Sequence, residues 1–310
     1  MSNASLQTGK RSRWAAIVNP SAGHGRCGKK ASRSLDLLDE AGLEVDRLVT
    51  ERPGHATELV SRAIRNGIRN VIALGGDGTA NEVVNGITGS AHPEEITLAT
   101  LPLGTGNSFL ADFDMQDIGA AIDRLLAGTA PPTDLLRCTL HVDGVPTERW
   151  VLNNIIVGFG ADVGALMNRR LKPLGEMGYS IGVLLELARL RPPRMRISID
   201  GRTHERPFTM INVGNSQYTG GNMRISPLSQ VDDGFFDLLL AERMTRLQLI
   251  RVFPRIFRGT HLKNERITTE KGTSLSVETD RPLPVLIDGD IAGTTPISVE
   301  LVPRALRVVR

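Results

Sequence analysis

Gly75-Gly76-Asp77-Gly78-Thr79-Ala80-Asn81 sets one carboxylate among three glycines, directly after the apolar run Val71-Ile72-Ala73-Leu74. The glycines let the backbone bend sharply and approach a ligand with no Cβ in the way. Freed backbone N–H groups, with the N-terminus of a following helix, then suit a phosphate. Asp77 repels a bare phosphate but serves one that arrives with a divalent cation. The plainer alternative is a tight turn with a solvated Asp, and three further turns of similar make argue against it. Asn19-Pro20-Ser21-Ala22-Gly23 follows the first apolar run, Thr50 follows the second, and Leu101-Pro102-Leu103-Gly104-Thr105-Gly106-Asn107 follows the fourth.

Two later segments add carboxylates. Val285-Leu286-Ile287 runs into Asp288-Gly289-Asp290, where the glycine permits a bend that re-aims one acid relative to the other. Such a carboxylate in a cleft could take the proton of a hydroxyl nucleophile. Gln230-Val231-Asp232-Asp233-Gly234-Phe235 offers a carboxylate and carbonyls to a hard cation such as Mg²⁺, or simply makes a hairpin turn. Gly23-His24-Gly25-Arg26-Cys27-Gly28 fits G-x-G-x-x-G, with Glu44 and Asp46 near the distance of a ribose-binding acid. The gap between Val18 and Gly23 is too long for the tight Rossmann junction. The same stretch misses a P-loop because Lys30 stands where Ser or Thr would bind magnesium.

The elements that must position these turns come in two styles. From 14 to about 132 the pattern alternates: strands at 14–18, 44–49, 71–74 and 96–101, helices at 30–40, 56–66, 81–87 and 118–127. Repeated β–α units predict a parallel sheet covered on both faces, with ligands at the strands' carboxyl ends. Beyond Pro131-Pro132, β-branched runs at 135–142, 150–157, 195–199, 208–213, 236–240, 275–277 and 285–287 predict antiparallel β structure. Helices are expected at 179–190 and 246–257. The reading is an α/β nucleotide-binding domain over 12–132 and a mostly antiparallel, β-sandwich-like substrate domain over 133–301. The segment 302–310 is a candidate to return to the first domain, and the active site is expected in the cleft between the two.

The 310 residues carry a net charge of only +3, which implies no nucleic-acid partner. Arg189, Arg191, Arg194 and Arg196 form a cluster that suits phosphates, an anionic lipid surface or plain solvent. In 246–258, arginines interleave with Leu247, Ile250, Phe253 and Phe257, a pattern open to packing or to an interfacial surface. Cys27 and Cys138 have no spacing for zinc or a disulfide framework, so a reducing compartment is expected. No run approaches the roughly 18 apolar residues of a membrane span. The polar, basic N-terminal stretch lacks the apolar centre of a secretory signal.

Taken together, these motifs resemble the diacylglycerol kinase catalytic family, which includes bacterial diacylglycerol kinases and related lipid kinases such as the sphingosine and ceramide kinases. Gly75-Gly76-Asp77-Gly78-Thr79 alone is shared with NAD kinases and phosphofructokinases. The Asn19–Gly23, 101–107, 232–234 and 288–290 segments narrow the resemblance to the lipid kinases. It implies ATP bound by Asn19, Pro20, Ser21, Ala22, Gly23, Thr50, Gly75, Gly76, Asp77, Gly78, Thr79, Ala80, Asn81 and Thr105. It also implies Mg²⁺ at Asp233 with carbonyls of Gln230 and Phe235, a general base at Asp290, and Asp77 positioning the metal–phosphate group. Two positions depart from the family pattern: Asp290 stands for the usual Glu, and Ser108 for the usual Asp. The implied activity is ATP-dependent phosphorylation of a lipid hydroxyl by a cytoplasmic protein that meets its lipid at the inner membrane surface, with a homodimer allowed. Rival readings are a kinase of a soluble acceptor such as NAD, and a nucleotide-binding regulatory protein without catalysis.

Overall fold

The computed structural model describes residues 13–23, 25, 27–166, 182 and 185–310. The first part alternates β1 (Arg13–Val18), α1 (Cys27–Glu40), β2 (Glu44–Val49), α2 (His55–Arg65), β3 (Asn70–Gly75), α3 (Asp77–Thr88), β4 (Thr97–Pro102), α4 (Ser108–Ala111) and α5 (Ile118–Ala127). β2, β1, β3 and β4 lie side by side in that order, all parallel. Their alternation splits the side chains between two cores. Ala16, Ile72, Leu74 and Ala99 face Leu35 and Leu38 of α1 and Leu125 of α5. Ile17, Val71, Ala73 and Leu98 face Val60 of α2 and Val83, Val84 and Ile87 of α3. Every crossover returns a chain end to the same edge, so the glycine turns after β1, β3 and β4 converge.

The second part contains β5 (Pro132–Val142), β6 (Val145–Val151), β7 (Asn154–Gly158), α6 (Phe159–Leu166), β8 (Arg194–Ile199), β9 (Arg202–Gly214), β10 (Phe236–Glu242), α7 (Arg246–Ile256), β11 (Ile267–Gly272), β12 (Ser274–Thr279), β13 (Pro284–Ile287) and β14 (Asp290–Val308). All pairings among these strands are antiparallel. The pairing departs from a simple sandwich. It closes a circuit through β7, β13, β14, β12, β8 and β9, with β10–β11 attached to β9 and β5–β6 to β14. Closure needs strands that bend, and the 19-residue β14 does so at register shifts between Thr294 and Ser298 and between Val302 and Leu306. Its last residues run parallel to β4, with Arg307 opposite Thr97 and Val308 opposite Leu98, so one strand joins both halves of the molecule.

Four local features differ from the sequence expectation. Helix α3 starts at Asp77, four residues early, because Gly76 caps it and the Ala80 N–H closes the first turn on the Gly76 carbonyl at 3.0 Å. The strand expected over 150–157 breaks at Leu152 and Asn153, whose N–H groups turn toward Asp288. β11 and β14 carry too many polar residues to read as strands from hydrophobicity alone. Of the helix expected over 179–190, residues 182 and 185–188 are helical, and most of the remainder lies outside the described residues, as do His24 and Arg26 of the Gly23–Gly28 stretch.

Candidate active site

The three glycine turns pack backbone against backbone. Asn19 donates its N–H to the Leu74 carbonyl (3.0 Å) and its side-chain amide to Thr79 Oγ1 (3.0 Å), tying the first turn to helix α3. The Leu103 N–H donates to the Gly75 carbonyl at 3.0 Å, bringing the third turn alongside. The contact is so close that a Cβ on Gly104 would lie 2.2 Å from the Gly76 Cα, which any side chain there would force apart. Thr50 is buried and donates its N–H to the Val18 carbonyl (2.9 Å), while Thr105 is exposed at the tip of the third turn. The residues Asn19 to Gly23, Gly75 to Asn81 and Thr105 thus share one rim around the N-terminus of α3. That end carries partial positive charge and unpaired N–H groups suited to phosphate oxygens.

Asp77, the first residue of α3, accepts hydrogen bonds from the Ser108 N–H (2.6 Å) and the Ser108 hydroxyl (3.1 Å). Burial pushes its pKa up to about 6, with the Asp288 charge adding to the rise and the Ser108 bonds opposing it. The Ser108 hydroxyl also accepts from the Gly221 N–H at 2.9 Å. A single small side chain therefore links Asp77 to the 215–222 loop of the second half. Asp112 makes a parallel link by accepting from the Gln217 N–H, and burial pushes its pKa up to about 7.

Asp290 is exposed, and one of its carboxylate oxygens lies 3.0 Å from where a Cβ on Gly78 would sit. The acid thus hangs over the first turn of α3. What fixes it there is Asp288, buried at a φ of 48°. Its carboxylate accepts from the N–H groups of Leu152, Asn153 and Asn154 at 2.9–3.0 Å and from the Asn81 amide at 2.7 Å. Burial raises its pKa, and these four donors oppose the rise. Asn81 also donates to the Trp150 carbonyl, and Asn85, one helical turn on, both donates to that carbonyl and accepts the Trp150 N–H. Asn85, the linking role of Ser108 and the clamping role of Asp288 were missed in the sequence. The Asn81–Asn85 spacing at i, i+4 was the available signal.

The expected cation site is built differently from expectation. Asp233 pairs with Lys271 of β11 through one oxygen, and its other oxygen accepts the Phe235 N–H at 3.0 Å. The Lys271 ammonium also lies 5.8 Å from the Phe235 ring centre. As arranged, Gln230, Asp233 and Phe235 offer a resident divalent cation no free carboxylate face, because an ammonium already occupies it. The structure holds this turn against the edge strand β11, not against α3.

A helix terminus suited to phosphate, a flanking carboxylate and a β domain beside them fit an ATP-dependent kinase, and the comparisons with known proteins support one. Residues 13–138 match the diacylglycerol kinase catalytic domain, and residues 153–310 match the YegS C-terminal NAD kinase beta sandwich-like domain. A diacylglycerol kinase of Mycobacterium tuberculosis (strain ATCC 25618 / H37Rv) is 32% identical over 314 residues, covering 100% of this chain and 99% of that protein. One from Bacillus subtilis (strain 168) is 28% identical over 283 residues, covering 90% of each. The chain belongs to the diacylglycerol kinase family. In fold it is similar to a diacylglycerol kinase crystal structure from Bacillus anthracis str. Sterne (TM-score 0.72, 23% identity, 96% of each chain). It also resembles yeast NADH kinase complexed with NADH (TM-score 0.54, 13% identity, 97% of this chain and 84% of that one). Among the described residues no helix is long and apolar enough to cross a membrane.

Proposed function

We propose that the protein transfers the γ-phosphoryl group of Mg·ATP to the hydroxyl of a lipid, diacylglycerol or a close relative. The observation that carries this reading is the Asp290 carboxylate suspended over Gly78 and anchored through Asp288. The nucleotide lies along Asn19 to Gly23, Thr50, Gly75 to Asn81 and Thr105, in the cleft between a domain of about 12–132, rejoined by 302–310, and a substrate domain of about 133–301. The N-terminus of α3 receives phosphate oxygens, and the Mg²⁺ that travels with ATP is part of that substrate. Asp77, held by Ser108, orients the metal–phosphate group. Asp290 accepts the acceptor hydroxyl's proton while that oxygen bonds to the γ-phosphorus, the bond to the bridging oxygen breaks, and ADP leaves. Positioning and charge stabilisation supply most of the acceleration.

The test is transfer of labelled γ-phosphate from Mg·ATP to micellar diacylglycerol, monoacylglycerol, sphingoid base, ceramide and phosphatidylglycerol, with NAD alongside. Label in one lipid, lost in Asp290→Ala, is the expected result. Label in NAD alone means a soluble-acceptor kinase, and ATP binding with no transfer to any acceptor means a regulatory protein.

A further inference from the structure

Helix α7 (Arg246–Ile256) turns the wrong face outward for a helix that merely covers a core. Leu249, Val252 and Ile256 point inward, where Val252 packs with Leu239, Met244 and Ile267. The opposite face is apolar as well. Leu247 is 55% exposed, Ile250 49% and, just beyond the helix, Phe257 48%. A surface helix ordinarily places polar residues there. Pro254 lies on the same outward stripe, and Arg251, Arg255 and Arg258 flank it, all exposed. None of these three guanidinium groups has an ion pair or hydrogen bond among the described residues. From 243 to 264 the chain holds six Lys or Arg residues and no Asp or Glu.

We infer that this face of α7 docks on an anionic lipid bilayer, Leu247, Ile250 and Phe257 entering the headgroup region and the three arginines meeting lipid phosphates. Exposed leucine, isoleucine and phenylalanine beside unneutralised arginines are what an interfacial helix presents. The charge excludes an apolar or cationic partner and favours a surface of negative sign. The position also makes sense for catalysis. Leu249 of α7 packs against the cluster of Phe159, Val163 and Leu187, and α6, which supplies the first two, lies against β13 through Gly164 and Leu286. β13 leads directly into Asp288-Gly289-Asp290. Docking through α7 therefore brings the general base near the bilayer from which the acceptor comes. The inference deepens the lipid reading and rests on it only for purpose, since docking needs neither ATP nor turnover.

Sedimentation with vesicles of phosphatidylcholine, with and without 30% phosphatidylglycerol, tests it on the full chain. Wild type should bind the anionic vesicles selectively and lose that binding at high salt. Leu247→Gln with Ile250→Gln should weaken partition on the order of tenfold, from lost apolar burial. Arg251→Gln, Arg255→Gln and Arg258→Gln together should weaken it about a hundredfold, at about fivefold per arginine. A control triple, Arg33→Gln, Arg62→Gln and Arg124→Gln, should bind within about twofold of wild type. Equal binding by all variants, or none to anionic vesicles, overturns the proposal. So does a concentration-dependent dimer in analytical ultracentrifugation that Leu247→Gln and Ile250→Gln abolish, because a second copy then covers this face. Turnover of detergent-dispersed diacylglycerol separates the two readings: α7 variants that dock poorly should keep it, whereas failure of wild type there counts against the lipid kinase and not against docking.

Discussion

Asp288 and Asp233 each precede a glycine of positive φ, 96° at Gly289 and 78° at Gly234, yet the two turns have opposite surroundings. Asp288 is sealed in and met by four N–H donors from α3, β7 and the break before β7, with no cation paired to it among the described residues. Asp233 is partly open and met by a lysine and by its own turn. The first arrangement spends a buried charge on holding backbone, and so delivers the neighbouring Asp290 to α3. The second neutralises its acid locally and leaves nothing for a ligand. Where the acids of an acid–glycine turn end up thus depends on what the turn is fastened to, and the dipeptide alone does not say which.

The sharpest way to break this comparison is to remove one carboxylate from each turn. Asp290→Asn keeps the shape and deletes the proposed base, so kcat should fall by about 10²–10⁴ with the melting temperature nearly unchanged. Asp233→Asn should leave kcat within about threefold. Steady-state phosphoryl transfer by the two purified variants checks both, and equal losses would sink the distinction. Asp288→Asn comes next, because it sets an NH₂ donor among N–H donors. Unmet donors of this kind cost on the order of 3 kcal/mol or more in total, read by urea unfolding. Its kcat should fall more than the KM for ATP rises, since of the proposed nucleotide residues only Asn81 bonds to Asp288, and the glycine turns are held by Asn19 and Leu103 instead.

Much of this architecture was legible. Hydrophobic periodicity gave β2 and α5 to the residue, because each is an amphipathic or alternating segment bounded by glycine or Asp caps. The glycine turns were legible as a group, since four ligand-capable turns at strand ends are hard to produce by chance. What was hidden depends on tertiary contact. β14 reads as polar because half of it faces outward, and only its pairing with β5, β12, β13 and β4 makes it a strand. The break between β6 and β7 has no local breaker; it exists because Asp288, more than 130 residues away, draws three consecutive amides to itself. Lys271 gave no sign in sequence that it would take the carboxylate of Asp233.

Asp112 is an intermediate case that sharpens the comparison through pH. One N–H, that of Gln217, lies between its two oxygens, and burial pushes its pKa up to about 7 against the opposing charges of Arg224 and Arg310. An acid whose folded pKa is raised favours folding when protonated. Its contribution is complete below the unfolded value of about 3.9 and disappears as pH climbs toward 7. The melting temperature of wild type minus that of Asp112→Asn should therefore decline between pH 4 and 7 and level off above. The change corresponds to something on the order of 2 kcal/mol after partial solvent screening. A difference that stays flat across this window would mean that the 215–222 loop holds Asp112 in a more polar setting than its burial implies.

The smallest effect is expected where the sequence promised a metal. Lys271 is nearly half exposed and its partner Asp233 is not sealed, so water screens the pair on one side. Lys271→Met should cost below about 1 kcal/mol, the range of ion pairs open to solvent. Chelation gives the sharper reading. With the ammonium occupying Asp233, EDTA should leave the melting temperature of the nucleotide-free protein where it was, and added Mg²⁺ should not raise it. A divalent ion resident at Gln230, Asp233 and Phe235 stabilises only the folded state, so removing it would lower the melting temperature. That outcome would show the lysine swinging aside for a cation, and the two acid–glycine turns would then differ in which cation they hold rather than in whether they can hold one.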